Sequence, residues 1–113
     1  MQRFWDLVTR PLLEILKPSC VVEIGAADGI HTRRLLDLFA DMPLSCALYS
    51  IDPSPRFDMQ ALRATHHDRF RPYQATSLQV LQQLPSADLV LLDGDHNWYT
   101  VCNELKTIEK RVF

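Results

Sequence analysis

The sequence lacks any apolar run that approaches the ~20 residues of a membrane-spanning helix, and residues 1–6 contain no apolar segment of the signal-peptide kind. It also lacks a basic stripe, because the net charge is −2 and residues of both signs are interspersed. Without such a stripe a nucleic-acid duplex has no long-range attraction to the chain. We therefore expect a cytoplasmic protein that binds no membrane and no nucleic acid, and whose partner is a small molecule.

Cysteine is also sparse. The chain has an odd number of cysteines, Cys20, Cys46 and Cys102, and no two of them have the spacing of metal ligands. This pattern favours packed, reduced thiols over a disulfide or a zinc site. Internal repeats, linkers and low-complexity segments are missing too. With 47% apolar and 23% charged residues, the 113-residue chain is expected to form one domain, residues 1–113.

What the sequence does contain is an alternation of strand-like and helical segments. Strands are predicted at residues 20–24, 46–51, 70–74 and 88–92. Between them lie segments with a helical period, and crossovers between parallel strands are right-handed almost without exception. The alternation therefore predicts an α/β fold: a Rossmann-like, doubly wound parallel sheet of about four strands in the order 3-2-1-4, with flanking helices.

The helix boundaries are predicted from proline and capping residues. Pro11 interrupts the period of residues 3–16, which indicates a kinked helix or two short ones. Ser54 is expected to cap a helix that begins at Pro55, and Ser77 a helix over residues 78–84. Apolar residues in the last segment predict a closing helix with one apolar stripe: Trp98, Val101, Leu105, Ile108 and Val112.

Two predicted strands run directly into clusters of glycines and acids. The first is Glu23-x-Gly25-x-x-x-Gly29, and the second is the segment 93–96, Asp-Gly-Asp-His. The carboxyl ends of parallel strands meet at one edge of a sheet, which is where ligands bind in open α/β folds. The sequence therefore predicts a binding site at this edge.

The glycine-containing loop after the first strand differs from a dinucleotide fingerprint. Gly25 permits a sharp turn with positive φ, and Gly29 permits close approach of backbone to a ligand or packing of the new helix against the strand. Ala27 stands where the fingerprint has its second glycine, the residue that leaves room for a pyrophosphate. Glu23 and Asp28 beside the loop would repel phosphate and suit an ammonium group.

With these residues the chain resembles the class I S-adenosylmethionine-dependent methyltransferases, whose first motif is an acid followed by two glycines on a strand, loop and helix. The resemblance implies S-adenosylmethionine as cofactor, with Asp52 accepting hydrogen bonds from both ribose hydroxyls. It places Thr76 and Ser77 against the adenine. It places the methionine moiety beside Glu23, Gly25, Ala27 and Gly29.

The segment from Asp88 to Tyr99 is similar to the fourth-strand signature of macrocin-type small-molecule O-methyltransferases. This resemblance implies that Asp93 binds a divalent metal such as Mg²⁺ and that His96 lies near the acceptor hydroxyl as general base. Imidazole titrates close to neutrality, so it can take a proton from such a hydroxyl. The acceptor is then a small hydroxylated molecule.

The family fold has seven strands, so the resemblance covers nearly all of this chain but only the N-terminal half of the family domain. The chain alone is accordingly expected to turn over little or no substrate. The fourth strand would lie at an edge of the truncated sheet, where unpaired backbone groups favour association with another chain. We therefore expect a homo-oligomer that covers this edge and the Trp98 face.

Simpler interpretations of the same residues stay open. Gly25 and Gly29 can serve only to turn strand into helix, Asp52 can serve only as a turn former, and His96 can be a solvent-facing residue. Some residues are expected to have structural roles: Asp95 and Asn97 as helix caps, Trp98 and Tyr99 in packing, and His31, His66 and His67 as surface or capping residues. At the level of function, the alternatives are a non-catalytic methyltransferase-fold module for ligand binding or subunit interaction and, less favoured, a nicotinamide oxidoreductase.

Overall fold

Four parallel strands form one sheet in the order β3-β2-β1-β4, as predicted. The computed structural model describes residues 4–42, 45–93 and 98–112, with the backbone alone at residues 98, 99 and 110–112. The strands are β1 (Cys20–Ile24), β2 (Ala47–Ile51), β3 (Phe70–Tyr73) and β4 (Leu89–Leu92). Each lies within one residue of its predicted bounds at either end.

The helices fill the connections between the strands and flank the sheet. They are α1 (Arg10–Leu16), α2 (Ile30–Asp41), α3 (Met59–His66), α4 (Ser77–Val80) and α5 (Trp98–Val112). Shorter turns are the π-helical Trp5–Thr9 and the 3₁₀-helical His67–Arg69 and Leu81–Gln83. None of the helices in the described ranges is long and apolar enough to cross a membrane.

The interrupted helix predicted for the first residues is present. The π-helical turn runs into α1, and Pro11 lies in the first turn of that helix. Proline is tolerated there because its missing N–H would have no partner within the helix. Lys17 then ends α1 with a left-handed φ of 48°.

The sheet is covered on both faces, which explains why β1 is an almost continuous apolar run. Side chains alternate between the faces along each strand. One face packs against α2 and α3 through Val21, Leu35, Leu36, Phe39, Leu48, Met59 and Phe70. The other packs against the α4 region and α5 through Val22, Ile24, Ile51, Val80, Leu81, Leu84 and Ile108.

The start of α3 differs from the prediction. Asp58, not Ser54, caps this helix: its Oδ1 accepts hydrogen bonds from the N–H groups of Gln60 (3.0 Å) and Ala61 (3.1 Å). The Ser54 N–H instead donates to Asp52 Oδ1 at 2.8 Å. Asp52 thus closes a turn with residue 54, and the helix begins four residues later than expected.

The start of α4 also differs by one residue. Thr76 is the N-cap, in a capping box with Gln79, and Ser77 is the first residue of the helix. The box satisfies two orphan backbone N–H groups reciprocally, which a cap at Ser77 would not have done. As a result the Ser77 hydroxyl is available for a contact elsewhere.

The three cysteines are free thiols, as expected. Cys46 is buried just before β2, and burial raises its pKa to about 12. The pKa of Cys20 is also raised, mainly by burial. Neither thiol therefore has the character of a nucleophile at neutral pH.

Candidate functional site

The loop between β1 and α2 adopts the left-handed backbone that its glycines predict. Gly25 has φ 94° and Gly29 has φ 81°, while Ala27 between them has φ 51°. The Gly25 N–H donates to the carbonyl of Ile51 at 2.8 Å, so the loop leaves β1 while still joined to β2. A side chain at Gly25 would be strained at this φ.

Gly29 is needed for packing. A Cβ atom at this position would lie 2.8 Å from Cγ of Phe57, a distance that no real Cβ contact tolerates. This contact differs from the two uses that the sequence left open for Gly29, close approach of a ligand or packing of the new helix against the strand. The neighbour is the segment that leads into α3.

Asp52 joins this loop to the end of β2. Its Oδ2 accepts a hydrogen bond from the Ala27 N–H at 2.8 Å, and its Oδ1 accepts the one from Ser54. The Ala27 carbonyl in turn accepts from the Arg56 N–H at 2.8 Å. A carboxylate has about four acceptor sites, so Asp52 retains capacity for two further donors.

Glu23 lies beneath the loop in a buried polar network. It is 2% exposed, and its Oε1 accepts hydrogen bonds from the hydroxyls of Thr32 (2.6 Å) and Ser50 (2.7 Å). Its Oε2 lies 3.1 Å from His31 Nδ1. The network links β1, β2 and α2, so Glu23 has a structural role whatever it does for a ligand.

His31 was expected at the surface or at a cap, and this expectation is wrong. It is 7% exposed, and its ring meets that of Trp5 edge-on at 5.6 Å between centroids. The reason is the helical period: His31 lies one turn before the buried Leu35 and shares its inward face. His67 fits its expected role, since it is exposed at the C-terminus of α3.

A cavity of about 410 Å³ lies at the carboxyl edge of the sheet, within the size range of small-molecule sites. Six predicted site residues line it: Gly25, Ala27, Asp52, Thr76, Ser77 and Asp93. The other lining residues are Ile24, Ile51, Pro53, Thr100 and Glu104. Glu23 lines instead an adjoining space of about 40 Å³, which shares Gly25, Ala27 and Asp93 with the larger cavity.

Glu104 was missed by the sequence analysis. It lies on α5, is 1% exposed, and accepts a hydrogen bond from the Ser77 hydroxyl. The signal was its position three residues after Val101 and four before Ile108, inside the apolar stripe of that helix. Leu105, which the stripe included, is 53% exposed.

Asp93 follows β4, with its N–H bonded to the carbonyl of Ile24 at 2.9 Å and its side chain exposed. Its predicted partner His96 lies outside the described residues, as do Asp95 and Asn97. Within the described ranges, no group of three or more His, Cys, Asp or Glu side chains could hold a metal ion. The described side chains therefore do not complete a metal site, and the assignment of Asp93 as a ligand stays a prediction.

Solved structures share this fold. CmcI in its apo form aligns with a TM-score of 0.73 at 20% identity, over 94% of this chain and 46% of its own. A candidate O-methyltransferase from Klebsiella pneumoniae aligns with a TM-score of 0.70 at 20% identity, over 91% of this chain and 48% of its own. CmcI with Mg and SAM aligns with a TM-score of 0.71 at 20% identity, over 92% of this chain and 45% of its own. The chain thus spans less than half the length of these structures.

No curated protein matches the sequence. A family model described as a methyltransferase domain matches residues 22–112, which is most of the chain and includes every residue that lines the cavity. The match agrees with the class I resemblance of the strand-loop-helix motif and with the observed strand order. The chain therefore belongs to the methyltransferase domain family.

Proposed function

We propose that this chain is the cofactor-binding part of an S-adenosylmethionine-dependent methyltransferase that acts on a hydroxyl oxygen of a small molecule. The observation that carries the proposal is the cavity of about 410 Å³, around which Gly25, Asp52, Ser77 and Asp93 converge. These residues come from four separate segments of the chain. Their convergence at the carboxyl edge of a parallel sheet is typical of a ligand site.

The charge of the cavity favours this cofactor over a dinucleotide. Three acidic residues line it, Asp52, Asp93 and Glu104, and no lysine or arginine among the described residues does. Such a lining repels phosphate and attracts a cation. S-adenosylmethionine carries a sulfonium and an ammonium group and no phosphate, so the lining supports it and argues against a nicotinamide dinucleotide.

Asp52 is the residue that we assign to the ribose. Hydrogen bonds from Ala27 and Ser54 fix its carboxylate before any ligand arrives. A carboxylate held in this way can accept from two neighbouring hydroxyls without losing side-chain entropy on binding. Gly25 and Ala27 leave the adjoining loop free of bulky side chains, where we place the methionine moiety.

When bound, the cofactor supplies an electrophilic methyl group on sulfur. The part of this chain in the transfer is to take a proton from the acceptor hydroxyl, and we assign that role to His96. Asp93 lines both the main cavity and the smaller one, and this supports our assigning it to the boundary between the cofactor and the acceptor. The O-methyltransferase assignment draws on the Klebsiella pneumoniae protein and on the segment that begins at Asp93.

A second candidate function is a non-catalytic ligand-binding or subunit-interaction module. The cavity and its lining, on which the first proposal rests, would serve such a module equally well. Such a module would bind the cofactor through the same cavity. It would not transfer the methyl group.

Calorimetric titration tests the proposal. The chain is titrated with S-adenosylmethionine, with its demethylated product S-adenosylhomocysteine, and with NAD as the control ligand. We expect saturable binding of the first two and none of NAD. Binding of NAD without S-adenosylhomocysteine would overturn the assignment in favour of an oxidoreductase, and cofactor binding without turnover of any hydroxylated acceptor by a full-length protein would favour the module.

A further inference from the structure

Large apolar side chains are exposed along the first helical segment, residues 4–16, which consists of the π-helical turn and α1. Among the described residues, six of the eight large apolar side chains that are exposed lie in this segment. Their exposed fractions range from 39% to 82%, and they are Phe4, Leu7, Val8, Leu12, Ile15 and Leu16. We call these six residues the α1 face. Single exposed leucines are ordinary, whereas an apolar patch of several side chains marks an interaction surface.

The first helical segment is apolar on two sides. Its inward side consists of residues that recur at every fourth position and are buried: Trp5, Thr9 and Leu13. The α1 face repeats this interval, shifted by one residue, in the row Phe4, Val8, Leu12 and Leu16. A surface helix usually buries one apolar stripe and turns polar residues outward. The second apolar side therefore calls for a partner that the described part of this chain does not supply.

The charges beside the α1 face favour a protein partner over a lipid surface. The charged residues of the segment are exposed and alternate in sign: Asp6, Arg10, Glu14 and Lys17. Two acids and two bases balance, whereas a helix that lies on an anionic membrane is rich in lysine and arginine on its polar side. Alternating charges suit a partner surface on which the charges follow the opposite order.

A second copy of the same segment has this opposite order when it runs antiparallel. With a two-fold axis at Leu12, Arg10 lies opposite Glu14 of the second copy, and the symmetry repeats the pair on the other side of the axis. Arg10 and Glu14 lie on one flank of the helix, since their own ion pair measures 3.2 Å from Nε to Oε1, and each is about half exposed. Asp6 comes within one position of the second copy's Lys17. A parallel arrangement would place like charges side by side.

The apolar residues fit the same antiparallel arrangement. About the axis at Leu12, Val8 of each copy lies opposite Leu16 of the other, and Leu12 meets its own counterpart. The six side chains expose apolar surface on the order of 500 Å² in each copy, so a pair would bury about 1,000 Å², the lower limit for a specific interface. An interface of this size predicts a reversible dimer.

We propose that the α1 face is a dimer interface, at which two copies of this chain pack their first helical segments antiparallel about a two-fold axis at Leu12. The reversed order of charges identifies the partner, and the apolar row supplies the contact. The interface is distinct from the edge of β4, which would pair through backbone groups. It does not depend on the ligand of the cavity.

Sedimentation equilibrium of the chain without ligand measures the Kd of self-association. Ile15→Glu places a charge within the α1 face of both copies and should raise this Kd at least roughly tenfold. Ile15 is among the most exposed residues of the face, so the substitution should leave the fold intact, which circular dichroism verifies. Ala64→Glu, an exposed change on α3, is the control and should keep the wild-type Kd.

A mixing experiment tests the antiparallel order. Arg10→Glu and Glu14→Arg each place like charges opposite one another across the axis, so each variant alone should have a higher Kd than wild type. In an equimolar mixture one variant carries two acids on this flank and the other carries two bases. The mixed pair is complementary, so the mixture should associate more tightly than either variant alone. A mixture of Arg34→Glu and Asp41→Arg, exposed changes on α2, is the control and should gain no affinity.

The outcomes are independent of the proposed function, because no cofactor is present in any sample. A wild-type chain that stays monomeric at the highest concentration would overturn the proposal. An unchanged Kd of Ile15→Glu would also overturn it, because association would then use another surface such as the edge of β4. If Ile15→Glu does not fold, the mixing experiment decides. A mixture that associates no more tightly than its components would overturn the antiparallel interface.

Discussion

Asp52 Oδ2 accepts a hydrogen bond from the backbone N–H of Ala27 at 2.8 Å. The residue assigned to the ribose therefore also holds the loop assigned to the methionine moiety. The Asp52 carboxylate would therefore couple ligand binding to the conformation of this loop. The consequences can be measured with single substitutions.

Replacing Asp52 with Ala should lower the affinity for S-adenosylhomocysteine at least tenfold. The variant loses hydrogen bonds to a charged acceptor, each contributing roughly 1.5–3 kcal/mol at most, and releases the loop at Ala27. Calorimetric titration measures the loss, and circular dichroism verifies the fold. Asp37→Ala, an exposed change on α2, is the control. Unchanged affinity in a folded Asp52→Ala protein would refute the ribose assignment.

Gly25→Val should abolish binding while the protein still folds. Gly25 has φ 94°, where a branched residue costs on the order of 1–3 kcal/mol, and its side chain would enter the cavity. Thermal unfolding and calorimetry on the same sample separate the two effects. Ala40→Val, on the exposed face of α2, should leave binding intact. Normal binding by Gly25→Val would mean that the ligand lies away from this loop.

His96→Ala should separate turnover from cofactor binding. In a full-length protein that methylates a small hydroxylated acceptor, we expect turnover to fall by ~10²–10⁴-fold, the usual range for losing a general base. Cofactor affinity should stay within about twofold, because the base contacts the acceptor and not the cofactor. His66→Ala on α3 is the matched control. Full activity of His96→Ala would remove the base assignment.

The free energy of unfolding should fall in acid, partly because the Asp88 carboxylate becomes protonated. Hydrogen bonds from the Ser19 N–H, the Ser19 hydroxyl and the Cys20 N–H lower its pKa from the ordinary value of 3.8. A lowered folded-state pKa means that the stabilisation is fully present above the unfolded value and is lost as pH falls through the folded one.

Asp88→Asn should therefore be less stable than wild type at pH 7, and the difference should shrink below pH 4. Urea unfolding at a series of pH values measures this difference. Asp41→Asn, an exposed change at the end of α2, serves as the control. A difference that stays constant from pH 7 to pH 3 would contradict the role of the ionised carboxylate.

The chain should self-associate through β4. This strand has β1 on one side and lies at the edge of the sheet, and its sequence is Leu-Val-Leu-Leu. Unpaired backbone groups on an apolar edge favour pairing with a second chain. Light scattering over a range of concentrations should report a dimer or larger species. A monomer at the highest concentration would refute the prediction.

The strands and their order were predictable because they rest on long, simple patterns. β1 is apolar at almost every position, which indicates a strand covered on both faces, and the alternation with helices leaves few topologies. The convergence of six site residues follows from the same reasoning, since parallel strands end at a common edge.

The helix caps were harder to predict, because several residues competed for each role. Ser54 and Asp58 can both cap α3, and the choice depends on Asp52, which accepts the Ser54 N–H. Thr76 and Ser77 compete in the same way, and Gln79 decides for Thr76. Such choices depend on side-chain contacts that propensity does not encode.

His31 and Glu104 were misjudged or missed for one shared reason. Each is a polar residue at an inward position of a helix, one turn from a buried or half-buried apolar residue. The polarity of such side chains predicts that they lie at the surface, whereas their positions in the helical period predict that they lie in the core. In both cases the period was right, and a polar partner, Glu23 or Ser77, lies beside them.

The close approach of Gly29 and Phe57 has a consequence for ligand entry. Phe57 lies over Gly29, the Arg56 N–H donates to the Ala27 carbonyl, and the Ala27 N–H donates to Asp52 Oδ2. These contacts join one wall of the cavity to the segment before α3. The opposite wall is formed by α4 and α5, which meet through the side chains of Ser77 and Glu104. Opening the first wall would break the Phe57 contact and two hydrogen bonds together, whereas parting the second would break the hydrogen bond between Ser77 and Glu104.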